Sequence, residues 1–289
     1  MNAWRSARPV LAVTLLAVTV AGCSKSDGGA GERSLADYHR TSFDPADFVD
    51  PTTSTNTWLP LRPGMQWVRE GTTEIGSRDV PHQVISTMTD VIRTVDGVPA
   101  VAMLDQDTDA GEIAEASIDY FALDRTGNVW YMGSYTAQYS NGKFTNNEDA
   151  WLGHSGGSEP GIQMPAKPAT SMPPWIETLV TADSGTAGQV VQTGAHKCVQ
   201  FACYDNVLVV REGEIGALDN EYKYYAPDVG QILNTPRPQS QHKDQESLVN
   251  LTQLSPAGLT EMSNVVLQLE DRARETNPDL FAGSSTRAP

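Results

Sequence analysis

The strongest constraint on the fold is a set of turn pairs placed between short β-branched and aromatic runs. Asp96-Gly97 separates residues 82–93, rich in Val, Ile and Thr, from residues 98–104. Such a pair accepts positive φ at both centres of a type I′ turn, whose twist matches that of the flanking strands, so the spacing predicts a hairpin. Asn141-Gly142 predicts another after residues 135–139, and residues 124–128 turn residues 113–123 into 129–131. Residues 65–70, 190–192, 205–211, 221–225, 230–233 and 248–254 carry the same short apolar or alternating pattern. No βαβ alternation interrupts them. Residues 57–254 are therefore expected to form an all-β body of nine to eleven antiparallel strands, either a sandwich or a lipocalin-like or half-barrel arrangement.

Two stretches depart from this pattern. Residues 151–174 are dense in Pro and Gly and read as a long ordered loop. Ser255-Pro256 has the chemistry of an N-cap followed by a first helical position. Leu259, Met262, Val266, Leu269 and Ala273 then repeat at helical spacing, which predicts an amphipathic helix over 255–276 packed on the β body. Residues 277–289 read as a disordered tail.

The N-terminus carries an address. Arg5 and Arg8 precede an apolar run over residues 10–22, broken only by Thr14 and Thr19. That run is too short for a hydrocarbon core that needs ~20 helical residues, and residues 1–22 have the build of a signal peptide. Val20-Ala21-Gly22-Cys23 resembles the lipobox of bacterial lipoproteins. The resemblance implies that Cys23 accepts a diacylglycerol and begins the mature chain, and each buried CH₂ of its acyl chains adds ~0.8 kcal/mol of membrane affinity. Residues 23–56 would follow as a flexible tether and an extended segment. The expected location is the cell envelope, on the outer face of the cytoplasmic membrane or on the outer membrane.

Charge narrows the partners. There are 20 Lys and Arg against 36 Asp and Glu, a net −16, and loss of residues 1–22 removes Arg5 and Arg8 and no acid, giving −18. Nucleic acid is excluded as a partner, because phosphate binding needs clustered cations. With Cys23 acylated, Cys198 and Cys203 remain, and outside the cytoplasm such a pair is a disulfide candidate. Residues 199–202 lack turn chemistry, so two buried free thiols stay open as an alternative. A metal site there would have His196 as its one nearby imidazole, short of the ligands zinc requires.

Several motifs run in order along the body: Trp58-Leu59-Pro60-Leu61-Arg62-Pro63-Gly64 with Trp67, then Asp119-Tyr120-Phe121-Ala122 with Asp124 and Gly127-Asn128-Val129-Trp130-Tyr131, then Pro160-Gly161-Ile162, and finally Glu221-Tyr222-Lys223-Tyr224-Tyr225-Ala226-Pro227 with Gly230. Together with the lipobox they resemble a family of bacterial exported lipoproteins of unknown function. The likeness spans residues 57–233 and implies an all-β body on a lipid anchor, with no activity attached.

Candidate chemistry is sparse. Asp105, Asp107 and Asp109 alternate like the first half of an EF-hand loop, but Ala110 replaces its glycine and Ala116 stands where the bidentate acid belongs, so Ca²⁺ is a secondary reading beside a solvated acidic hairpin tip. There is no G-x-S-x-G elbow, and the histidines (His39, His82, His154, His196, His242) show no paired spacing. No catalytic residue, metal or cofactor is therefore assigned. Trp58, Trp67, Trp130, Tyr131 and Trp151 are candidates to line an apolar pocket. The expected function is a non-catalytic, membrane-anchored envelope lipoprotein that binds a small apolar or amphipathic ligand. An envelope scaffold that meets another protein is the alternative, and a secreted-type hydrolase a second one.

Overall fold

The computed structural model describes residues 34–182, 184–216, 221–237, 240, 243–283 and 285–288, with backbone alone at 148 and 149. The expected signal peptide over residues 1–22, Cys23 and His242 lie outside the described residues. The described strands are β1 (Phe48–Val49), β2 (Met65–Ile75), β3 (Arg78–Val95), β4 (Val98–Asp109), β5 (Glu112–Asp124), β6 (Val129–Ser140), β7 (Lys143–Leu152), β8 (Glu159–Met164), β9 (Trp175–Thr181), β10 (Ser184–Cys198), β11 (Cys203–Glu214), β12 (Glu221–Ala226), β13 (Gly230–Pro236), β14 (Gln245–Gln253) and β15 (Thr286–Arg287). The helix α1 spans Pro256–Thr276.

Twelve strands close a ring in the order β5-β4-β3-β2-β14-β13-β12-β11-β10-β9-β8-β6, and β6 returns to β5 to complete it. The body is a closed barrel, because no pair of facing sheets is left with four open edges. β7 continues along the edge of β6 that β8 occupies lower down. Hairpins set the register: β3 and β4 pair from Val95↔Val98 down to His82↔Asp109, around Asp96 at φ 49° and Gly97 at φ 80°.

Three expectations need correction. The Pro/Gly stretch is not all loop: β8 lies inside it, paired with β6 through Gly161, Ile162 and Met164 and with β9 through Glu159 and Pro160. Gly161 permits this, since a Cβ there would meet the Ile176 carbonyl oxygen at 2.5 Å. Residues 129–131 and 135–139 are one strand, bent by a bulge against β5. The region after the helix is not a frayed tail among its described residues: Phe281 is fully buried, and β15 pairs with β3.

The helix lies on the outside of the barrel. Ser255 accepts from the Gly258 amide at 3.2 Å, and Pro256 follows at the first helical position. Val266, Leu269 and Ala273 are buried, while Met262 is partly so. Together with Phe281 they share a core with Tyr120 and Tyr135, outward-facing residues of β5 and β6. Complete burial of each large side chain contributes about 1.5–3 kcal/mol. Elsewhere the large apolar groups left exposed among the described residues are Ile75, Val191 and Phe201, with Val180 bordering the lumen. These are scattered and form no continuous lipid-facing band.

One end of the barrel is crossed by the segment before β2. The Asn56 side-chain amide donates to the Gly127 carbonyl at 2.9 Å and to those of Met164 and Pro165 at 3.4 Å, while the Asp228 amide donates to Thr57 at 2.7 Å. These partners belong to turns on different sides of the ring, so residues 56–61 form a floor. Earlier residues lie against the wall: Phe43 and Phe48 meet Trp130 edge to face, and β1 pairs with β5.

Candidate functional site

Inside the barrel is a cavity of about 630 Å³. Period-2 alternation decides its lining, because every second residue of a strand faces the lumen. Trp67 and Arg69 of β2, His82, Val84 and Ser86 of β3, Asp105 and Asp107 of β4, and Glu115, Ser117 and Asp119 of β5 all point inward. The cross-strand register puts Asp105 between Ser86 and Ser117. Eight carboxyl groups line the cavity, against Arg69, Lys223 and His82.

The cations are already occupied. Arg69 Nε donates to Glu246 Oε1 at 3.0 Å and its Nη2 to Ser86 Oγ at 2.8 Å. His82 Nδ1 lies 2.8 Å from Asp109 Oδ1 and its Nε2 3.5 Å from Glu246 Oε2. The Glu246 contact is the main reason the imidazole is raised to about 9, with burial opposing and Asp109 adding to it. Burial opposes ionisation of Glu246, but Arg69 and His82 outweigh it and hold its carboxyl below the usual range. On the facing wall Lys223 Nζ is 2.7 Å from Glu212 and 3.1 Å from Glu221. Those carboxylates overcome its burial and push it up.

Three further lining acids and the neighbouring Glu177 are disfavoured in their charged form. Asp105, Asp107 and Asp119 are raised first by burial, and Asp107 and Asp119 further by Asp105. Asp119 reaches about 6 even though Tyr131 Oη donates to its Oδ1 at 2.6 Å. Glu177, 2% exposed, is raised well up by burial and then by Glu212. Asp105 Oδ1, Glu177 Oε1 and Asn234 Oδ1 are buried without a hydrogen-bond partner among the described residues. Buried polar atoms are almost always satisfied, so such acceptors mark places where something else donates.

The predicted aromatics divide. Trp67, Tyr131 and Trp151 line the cavity with Leu59 and Phe121 toward the floor, and Trp67 Nε1 donates to the Val229 carbonyl at 2.6 Å. Trp130 does not reach the lumen: it is 2% exposed, packs on Phe43 and Phe48, and donates to Asp124 Oδ2 at 2.9 Å. Trp58 is half-buried against the core, outside the lining.

The Ca²⁺ reading is corrected. Asp105, Asp107 and Asp109 are not a loop; they share one face of β4, where extended backbone spreads them along the wall. The turn is Ala110-Gly111, with Ala110 at φ 51°. Among the described residues no three carboxylates converge; the one cluster of ligating type is His196, Cys198 and Cys203. There the two sulfurs are joined as a disulfide, exposed at the β10–β11 turn, and thiolates are not offered to a metal. His196 Nδ1 sits 2.6 Å from Asp205.

Sequence reading missed Arg69, Glu246, Lys223 and Asn234. Their signal was a charged or polar residue at the inward phase of a strand, as in Tyr222-Lys223-Tyr224, which resembles a solvated position until the barrel closes.

No family model and no curated protein matches the chain. Among solved structures, a protein of Bacteroides fragilis described as exported, with a YmcC-like fold, aligns over 68% of this chain and 99% of its own at 11% identity and a TM-score of 0.40. No helix among the described residues is long and apolar enough to cross a membrane.

Proposed function

We propose that the protein is a lipid-anchored envelope protein whose barrel holds a small amphipathic molecule, without catalysing a reaction on it. The observation that carries this reading is the lumen of about 630 Å³, within the range of small-molecule sites, with aromatic groups toward the end crossed by residues 56–61 and polar groups above them. Export and anchoring rest on the signal-like residues 1–22 and the lipobox at Cys23. The likeness of the body's motifs to exported lipoproteins supports the same assignment. The scaffold alternative has less support, since the apolar stripe of α1 is spent against the barrel.

Native mass spectrometry of the full chain released from its own membranes tests the reading. A small molecule bound to wild type and lost from Ser117→Trp, which fills the lumen, is the expected result. Ligand-free protein in both, or recovery of the uncleaved chain from the cytosol, overturns it.

A further inference from the structure

We propose that the lumen selects an organic cation, a small amine with an apolar body whose ammonium N–H groups are taken by acceptors spread along the lumen wall, Asp105 and Asp107 of β4 and the side-chain carbonyl of Asn234 on β13. This rests on the reading that the lumen holds a small molecule, and it adds the sign of the ligand's charge.

The first support is charge imbalance. Arg69, Lys223 and His82 are already shared among Glu246, Glu212, Glu221 and Asp109, so three engaged cations stand against eight lining carboxyl groups. The second is the pair of orphaned acceptors. Asn234 is 6% exposed, lines the cavity, and its Oδ1 has no donor; Asp105 Oδ1 is in the same condition. Acceptors without donors call for N–H groups, and an ammonium supplies up to three. The third is spacing. The carboxylates do not converge as the oxygens of a Ca²⁺ site do, so a single metal ion is a poor fit, whereas an elongated cation reaches several of them. Trp67, Tyr131 and Trp151 then receive the apolar body toward the floor.

Protonation follows the same logic. Asp105, Asp107 and Asp119 face Glu115, Glu246, His82, Arg69 and Lys223, and all three are pushed up by burial. A bound ammonium lowers them again, so binding releases protons and strengthens as pH rises.

Isothermal titration of the full chain with hexylamine, 1,6-diaminohexane, 1,6-hexanediol and adipate is the test. Both amines are expected to bind, with more heat in buffers that take up protons exothermically, and the diol and the diacid are expected to be silent. Asp105→Asn with Asp107→Asn lowers amine affinity at least tenfold while circular dichroism stays unchanged. Asn234→Leu, which removes the carbonyl but no charge, weakens amine binding independently. Equal binding of the diol and the diamine, or unaltered amine affinity in both variants, overturns the cation. If all four probes are silent while native spectra still carry a small molecule, the cation proposal falls and the binding reading stands. Silence in both experiments removes the two together.

Discussion

Tyr120 Oη donates to Glu270 Oε1 at 2.6 Å, joining the outer face of β5 to the middle of α1. The same carboxylate lies 3.6 Å from Arg93 Nη1, and both ionic groups are nearly inaccessible, at 1% and 3% exposure. Tyr120→Phe is expected to cost about 2 kcal/mol, the loss of a bond to a charged acceptor. Glu270→Ala should cost more, about 3–5 kcal/mol, because Arg93 is left buried and uncompensated. Chemical denaturation of the two variants checks the order.

Asp119 provides a pH signature. Its folded pKa, about 6, lies above that of an exposed carboxyl, so the protonated form stabilises the fold at low pH. That contribution is complete below about 4 and is lost as pH rises through 6. Asp119→Asn, uncharged throughout, should therefore gain on wild type as pH rises, reaching about 2 kcal/mol by pH 7.5. Parallel melting curves from pH 4 to 7.5 would refute the assignment.

The disulfide spans a sequence separation of 5, a short loop. By loop-closure entropy it is worth about 2 kcal/mol. Replacing Cys198 and Cys203 together by Ala should lower the unfolding free energy by that amount, read from chemical denaturation, and a reductant should then have no further effect.

Gly71 faces the backbone of β14, and a Cβ there would stand 1.6 Å from the Gln245 carbonyl oxygen. Gly71→Ala is expected to cost about 3 kcal/mol through overpacking of the β2–β14 seam. Gly97→Ala meets no atom within 4 Å and bears only the strain of φ 80°, about 1–2 kcal/mol. Comparing the two separates crowding from backbone strain.

Which parts were legible follows from where the determining contact lies. The Asp96-Gly97 and Asn141-Gly142 hairpins and the Ser255 cap are local, and they occur as their residues indicate. Ala110-Gly111 turns the chain without a turn-forming residue at its first position, because β4 and β5 are fixed along their whole length by the ring. β8 was hidden for the opposite reason: its Pro160 and Gly161 signal a loop, and only the close approach of β9 makes the glycine necessary. Phe281 is anchored by Tyr135 and by Arg93, 5.0 Å from its ring, partners far away in sequence. In the lumen, alternation of Asp105, Asp107 and Asp109 was visible, but its meaning depended on which face of β4 turns inward. Closure of the barrel decides that.

The segment pinned by Asn56 has a kinetic consequence. Under the proposed function, a base crossed by residues 56–61 would leave the opposite end as the route by which a ligand both enters and departs. A vessel of that kind would keep or hand over a molecule, with a dwell time set by how firmly its walls grip rather than by any conduit.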